Sequence, residues 1–598
     1  MKKIVIVGNG GREHALFWKI NNDFINSSAQ VIRLTDNCEM VLEFCQKESV
    51  DLVVIGPEQA LHEGLVDRLR EKGIKAFGPT AKAAQLESSK KFAKEFMQKH
   101  SVATAEFHSF KGRDKKAIEL IEHYQGYLVL KFDGLAAGKG VYVCSSLQEA
   151  FDSLEKIFLN YGPDANYLIE ERIVGPEISI LGITDGKDIA LFPPARDHKR
   201  LLDGNLGPNT GGMGVFCPVP NFTDEQMREC HEKIISPTLK GIEKENLDYR
   251  GFIYFGIMLT SNGPKLLEYN ARMGDPETEV IMPLLDCHLT NLIEACLENR
   301  LGIFLEKNPI KFFPKYAVDV VLASEGYPQK IQTGKIITGL EKLNPETLVF
   351  ISGARKENKN LLTTGGRVLN VVCTADTLKQ AVQNVYSEVR KIHFEGMQYR
   401  RDIASQNKRI VILISGRGSN MEQIVHHCQD GILKGVAEVV AVVSNKPEAK
   451  GLQVATNKGV TACVVKSQGK NKNQFEEELL KCVQGFSPDY IVLAGYMKIL
   501  SSSFVKNYAN KIINIHPADT SLHQGLGAYE WAFALKRKNT AITVHYVDAG
   551  VDTGTVIGKM DVDLTDCHTL EEVEKRGLSC EHTFYSQMLY KVFTSKEI

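Results

Sequence analysis

A chain of 598 residues has length for about three to six domains, each able to bury its own core. Lys+Arg 72 against Asp+Glu 73 leaves a net charge of -1, with no basic field for a nucleic-acid backbone and no acidic tail, and no apolar run approaches the roughly 18 to 20 residues that span a bilayer. General nucleic-acid binding is disfavoured and a membrane protein is excluded.

After Met1-Lys2-Lys3 the apolar run is only IVIV before Gly8, short of the roughly 7 to 15 residues of a signal peptide. The 13 cysteines are odd in number and never fall as CxxC, so neither a disulfide framework nor a zinc ribbon suggests itself. A reducing cytoplasm is the expected location. The opening KKIVIVGNGGREHAL reads as a buried parallel strand, a glycine turn and a helix, and DLVVIGPE at 51–58 repeats the strand and turn. Gly8, Gly10 and Gly11 do not complete a dinucleotide fingerprint, because its sixth position is Glu13. The loop is then either an anion cradle at a helix N-terminus or a plain tight turn.

A helical stretch over 81–99 leads into an α+β region in which YLVLKFDG, NYLIEERIVG, FIYFGIMLT and PKLLEYNAR read as strands. DGLAAGKGV at 133–141 is not a Walker A loop: three residues separate Gly134 from Gly138, and Gly140 stands where Ser or Thr would hold magnesium. It follows a strand carrying Lys131, however, and a glycine loop with two lysines can cover nucleotide phosphates; a surface turn is the alternative. In LLEYNARMGDPE, Glu268 and Asn270 alternate along a strand and project from one face, a donor pair suited to Mg²⁺ shared with ATP. Between 326 and 397, short β-like runs and a helix over 378–389 suggest a small separate module. The aperiodic YRRDIASQNKR at 399–409 is the expected main linker. RIVILISGRGSN then restarts a strand, glycine turn and helix, with Gly416 and Gly418 before Ser419 and Asn420, and opens an autonomous α/β domain.

GNGGREHAL, GPEQALHEGLVD, FGPTAKAAQLESSKKFAKEFM, LKFDGLAAGKGV, ARDHKR, GPNTGGMGVFCPVP, LLEYNARMGDPETEV and TTGGRVLNV together resemble glycinamide ribonucleotide synthetase, an ATP-grasp ligase family of purine biosynthesis, over about 1–404. The resemblance implies an N-terminal α/β domain (1–101), an ATP-grasp domain (102–312) and a C-terminal ligase domain (313–404). It implies that Lys90, Lys131, Gly138 and Lys139 meet ATP phosphates, that Glu170, Glu171 and Ile173 line the adenine pocket, and that Glu268 and Asn270 bind Mg²⁺ or Mn²⁺. Gly10, Asp197, His198, Lys199, Asn209, Thr210, Gly211, Gly366 and Arg367 would hold 5-phosphoribosylamine and glycine.

RIVILISGRGSN, SPDYIVLAGYMKIL, NIHPA and HYVDAGVDTG resemble the glycinamide ribonucleotide formyltransferases over 408–598. The resemblance implies a Rossmann-like domain in which Asn514, a protonated His516 and Asp552 act on a formyl group from 10-formyltetrahydrofolate, Asp552 orienting the imidazole and assisting proton removal. Gly418, Ser419 and Asn420 would hold the phosphate of glycinamide ribonucleotide and Glu581 its amine end. Met497, Lys498, Ile499, Leu500 and His545 would form the folate side. Two departures stand out: NIHPA continues as DTSLHQGLGAYEWAF, where the family commonly reads NIHPSLLP, and Lys498 replaces an Arg, losing a planar fork. The expected protein makes glycinamide ribonucleotide and then formylates it. Alternatives are a formyltransferase for another amine, or a folate-binding module without turnover. Small-molecule substrates are the expected partners, and the sequence carries no signal of oligomeric state.

Overall fold

The computed structural model describes every residue except Met1, 26–28, 136–139, Ser145, Val174, Asn221, Ser261, Gln406, Ser487 and 595–598. The chain divides into two compact units, Met1–Ser405 and Gln406–Ile598.

In the first unit the strands Ala29–Leu34, Lys2–Val7, Leu52–Ile55 and Ala76–Pro79 lie parallel in that order. Ile4, Val5, Ile6 and Val7 are all fully buried, Val5 and Val7 in one core and Ile4 and Ile6 in another, as a parallel strand covered on both faces requires. The sheet does not end with the N-terminal region. Ala76–Pro79 pairs antiparallel with the long strand Tyr249–Thr260, which also pairs with Glu177–Thr184 and Gly263–Asn270.

One sequence expectation is corrected here and two take a more exact form. The helical stretch over 81–99 is two helices, Gln85–Ser88 and Lys90–Lys99, because Ser89 is extended and its Oγ accepts the Phe92 N–H at 3.1 Å as a new N-cap. The expected module over 326–397 shares a sheet with the preceding region: Arg367–Ala375 pairs with Tyr316–Ala323, which pairs in turn with Gly214–Cys217, so one five-stranded sheet joins both. The boundary between the units falls at Ser405–Gln406, inside the linker expected at 399–409, but the residues before it are packed. Arg400 is 1% exposed, forked onto Asp402 at 2.7 and 2.8 Å and bonded to Asn205 Oδ1 at 2.9 Å, and Ile403 is fully buried. The first strand of the second unit begins at Lys408.

A small lobe projects from the first unit: Phe107–Lys111, Asn166–Glu171, Leu128–Phe132 and Val141–Val143 form a four-stranded antiparallel sheet backed by Lys115–His123 and Leu147–Tyr161, with a core of its own.

The second unit is a seven-stranded sheet in the order Ala462–Val464, Ala437–Ser444, Lys408–Ile414, Tyr490–Leu493, Ile512–His516, Asn539–Tyr546, Val556–Asp563, parallel through the fifth strand and antiparallel at the end. The strand order reverses at Lys408–Ile414, and the loops that follow it and Tyr490–Leu493 meet: Met497 N–H donates to Ser415 Oγ at 2.9 Å. That crevice, beyond the carboxyl ends of parallel strands, is where open α/β sheets bind ligands. The helix Leu570–Thr594 closes one side, packed against Ser419–Asp430 and Ala528–Ala534.

Candidate functional site

In the first unit, the small lobe and the long-strand sheet meet through cations. Lys131 Nζ lies 3.0 Å from Glu170 Oε2 and donates to Leu267 O at 3.1 Å. Lys94 Nζ lies 2.9 Å from the same Glu170 oxygen and donates to Thr104 Oγ1 at 2.7 Å. Burial pushes the Glu170 carboxyl up, but Lys131 and Lys94 together hold it below its ordinary value. Burial, with Lys131 adding to it, pulls Lys94 down to about 8 against the pull of Glu170. Lys90 Nζ donates to Gly134 O at 3.1 Å, and Ser89 Oγ and Lys91 N–H both donate to Asp133 Oδ1 at 3.1 Å. Glu171 pairs with Lys265 at 3.2 Å and Ile173 is half-buried. Gly138 and Lys139 lie outside the described residues.

Glu268 and Asn270 end the strand Gly263–Asn270, opposite Gly256 and Tyr254. Burial raises Glu268, but Lys199, Lys131, Lys90 and Arg272 outweigh it, so the carboxylate stays anionic. An anionic carboxylate and an amide oxygen on one strand face are hard oxygen donors that suit Mg²⁺ completing its shell with phosphate and water.

Asp197 and His198 lie at and beside the short strand Arg196–Asp197, with Lys199 forming an ion pair with Glu177. Burial, then Glu277, drives Asp197 well above the ordinary carboxylate range, and burial lowers His198 to about 3. Asn209 ends an exposed strand; Thr210 Oγ1 donates to Lys199 O at 2.9 Å, and Arg367 reaches Gly211 O at 2.6 Å and Asp275 O at 2.8 Å. Gly366 lies against the Tyr327 ring, which a Cβ there would overlap.

The first glycine loop departs from the anion-cradle expectation. Gly10 N–H donates to Glu13 Oε2 at 2.8 Å, and a Cβ at Gly8, Gly10 or Gly56 would run into the Glu13 side chain. These glycines make room for the residue that breaks the dinucleotide fingerprint, and its carboxylate caps the helix that an external anion would otherwise meet.

Sequence reasoning missed several residues here. Lys94 sits on an amphipathic helix and gives no signal of its own. Asp319 is fully buried with neither carboxylate oxygen partnered, near Asp275 and Arg367, and a lone acid inside the apolar run AVDVVLA was a readable sign of it.

In the second unit, Asn514 and His516 alternate at the end of Ile512–His516, and His545 stands directly across from Asn514 on the next strand. All three converge on Asp552. Its Oδ1 accepts from Asn514 Nδ2 at 3.2 Å and lies 3.4 Å from His545 Nε2; its Oδ2 lies 3.3 Å from His516 Nδ1 and accepts the Gly525 N–H at 2.9 Å. Asp552 adopts a left-handed φ of 54°, uncommon outside glycine and seen where surroundings force a functional geometry. Burial raises its pKa, but these donors prevail and hold it down to about 2. Burial lowers His516 below its ordinary value although Asp552 and the His523 carbonyl, 3.0 Å from Nε2, oppose this. Burial thus disfavours the expected protonated His516, while an acceptor at each ring nitrogen favours it.

Gly418 caps Ser419–Asp430 with φ 78°, Ser419 opens that helix, and Asn420 Nδ2 donates to Glu581 Oε2 at 2.5 Å. Of the residues expected on the folate side, Met497 and Ile499 are each 61% exposed and Lys498 is exposed, all near the crevice loops. Leu500 instead turns into the core beside Phe475 and Leu479, and His545 joins the Asp552 cluster, so neither side chain belongs with that exposed segment. The apolar periodicity of YIVLAGYMKIL could not tell which of its residues turn inward once the strand ends.

A phosphoribosylglycinamide synthetase N-domain model matches residues 2–87, its ATP-grasp (A) domain model 88–278 and its C-domain model 317–406. A phosphoribosylamine–glycine ligase of Clostridium acetobutylicum is 40% identical over 421 residues, covering 67% of this chain and 99% of that relative. The chain belongs to the phosphoribosylamine–glycine ligase family. The crystal structure of a phosphoribosylamine–glycine ligase from Thermotoga maritima is similar at 35% identity and a TM-score of 0.58, covering 67% of this chain and 100% of that one. A human relative named trifunctional purine biosynthetic protein adenosine-3 is 39% identical over 424 residues, which cover 67% of this chain and 41% of that protein. Beyond the ligase region, a formyl transferase model matches 408–589.

Proposed function

We propose that the chain joins glycine to 5-phosphoribosylamine with ATP in its first unit and formylates the resulting glycinamide ribonucleotide in its second. The observation that carries the proposal is the convergence of Asn514, His516 and His545 on one anionic Asp552, in a chain whose other unit is a phosphoribosylamine–glycine ligase by family.

In the ligase, Lys90 and Lys131 would be the phosphate-facing cations; Lys131 and Lys94 share one Glu170 oxygen. Glu268 and Asn270 would hold Mg²⁺, which neutralises charge developing on the transferred phosphoryl group. The glycine carboxylate attacks the γ-phosphorus, ADP leaves, and the amine of phosphoribosylamine attacks the acyl phosphate carbon, releasing phosphate. Positioning and charge neutralisation suffice, and no side chain is covalently modified. The substrate contacts assigned above to Asp197, His198, Lys199, 209–211, Gly366 and Arg367 belong to this proposal.

In the formyltransferase, the substrate amine attacks the formyl carbon of 10-formyltetrahydrofolate, the bond from that carbon to the folate nitrogen then breaks, and tetrahydrofolate leaves with a proton on that nitrogen. Asn514, whose Nδ2 lies 3.2 Å from Asp552 Oδ1 and 3.3 Å from His545 Nε2, would turn an N–H to the tetrahedral oxyanion once substrate is bound. Burial disfavours charge on His516, but the oxyanion's negative charge favours it, and Asp552 would assist removal of the proton the amine loses. Once charged, the imidazolium has an acceptor at each nitrogen, Asp552 and the His523 carbonyl. A cytoplasmic location is part of the same reading, supported by the metabolite chemistry; among the described residues no helix is long and apolar enough to cross a membrane. The test is a coupled assay with ATP, glycine and phosphoribosylamine, followed by 10-formyltetrahydrofolate, with products identified by mass. Absence of either product from the wild-type protein refutes the corresponding half.

A further inference from the structure

Glu581 lies 5% exposed on the helix Leu570–Thr594, where two other elements clamp its carboxylate. The Tyr529 hydroxyl, from Ala528–Ala534, donates to Oε1, and Asn420 Nδ2, from the start of Ser419–Asp430, donates to Oε2 at 2.5 Å. With one Nδ2 hydrogen given to Glu581, Asn420 presents Oδ1, buried and without a partner among the described residues. That atom is an acceptor and repels a phosphate oxygen, so a phosphate contact of Asn420 falls to its backbone N–H or its second Nδ2 hydrogen. Oδ1 fits a ligand hydroxyl or amide N–H.

The Tyr529 ring has a dedicated seat. Gly577 lies one helical turn before Glu581, inside a 25-residue helix where glycine is a poor helix former, and a Cβ there would overlap the ring. Tyr529 belongs to the segment DTSLHQGLGAYEWAF, the part of the sequence that departs from the expected pattern after His516.

We propose that Tyr529 is a positioning residue of the formyltransferase site: seated on Gly577, it fixes Glu581, and through Glu581 it turns the Asn420 amide so that its oxygen meets a substrate hydroxyl or amide N–H. The inference rests on the reading that this unit formylates glycinamide ribonucleotide. Burial already raises Glu581, and the two donors oppose that rise, so losing Tyr529 moves the carboxyl further toward its neutral form.

In the full-length protein, Tyr529→Phe should raise KM for glycinamide ribonucleotide about tenfold, the scale of one lost hydrogen bond to a buried charged group. It should leave kcat within about twofold and KM for the folate cosubstrate unchanged, and shift the acid limb of kcat/KM to higher pH. Gly577→Ala should reproduce the KM change, yet add no further loss in a Tyr529→Ala background, where no ring remains to be displaced. An unchanged KM in Tyr529→Phe overturns the proposal, as does a loss shared equally by kcat and both KM values, or additivity of Gly577→Ala and Tyr529→Ala. Should the wild-type protein fail to formylate glycinamide ribonucleotide, the functional reading falls separately. A thermal-unfolding cycle of Tyr529→Phe and Glu581→Gln then decides the positioning claim, with non-additivity sustaining it and additivity overturning it.

Discussion

Asp552 collects Asn514, His516, His545 and the Gly525 N–H on two oxygens, and that crowding has a measurable consequence in acid. Its folded pKa of about 2 lies below the ordinary 3.8, so the stability it contributes is present in full above the unfolded value and is lost as pH falls through the folded one. Asp552→Asn should therefore flatten the decline in melting temperature of the second unit between about pH 4 and pH 2. An acid limb identical to wild type counts against the assignment. His516→Ala removes the imidazole proposed to stabilise the oxyanion while leaving a small residue at the strand end. Formyl transfer should fall by on the order of 10² to 10⁴ with ligation nearly unchanged, so the variant fed all substrates accumulates glycinamide ribonucleotide. Loss of both activities with an intact circular dichroism spectrum would show that the two sites are not independent.

At the scale of single elements, strand alternation does much of the work. It puts Glu268 and Asn270 on one face of Gly263–Asn270, and Asn514 and His516 on one face of Ile512–His516. Glu268→Gln keeps the shape but removes the anionic oxygen, so ligation should drop sharply under limiting magnesium while formylation of supplied glycinamide ribonucleotide continues. Wild-type ligation under those conditions refutes the metal assignment. These pairs were legible beforehand because a period of two needs no tertiary information. The break at Ser89 was not, since an N-cap inside a helical composition is decided by whether Asp133 is there to receive the serine hydroxyl and the Lys91 N–H. Nor was the fate of the first glycine loop: only the folded turn reveals that Gly8 and Gly10, with Gly56 from the next strand's end, make room for Glu13.

For the whole molecule, the boundary between units makes a sharp prediction. A ligase fragment ending at 405 retains Arg400 and Ile403, whereas one ending at 398 leaves their buried sites empty and strands the partners of Arg400. The fragment 1–405 should be soluble and ligate, and 1–398 should be markedly less stable in urea or heat; equal stability of the two refutes the packing argument. A fragment beginning at Lys408 should formylate alone.

What the sequence determined by itself was the succession of strand, glycine turn and helix, the two-unit division, and the residues whose spacing repeats with the local period, because these depend on neighbours in the chain. Tertiary structure alone decided that Leu500 faces the core while Met497 and Ile499 face outward, and that Lys94 shares Glu170 with Lys131. It likewise brought His545 to Asp552 and seated Tyr529 on Gly577. In each case the partner lies on a different element, and neither its distance nor the burial that shifts a proton is encoded in the residues alongside.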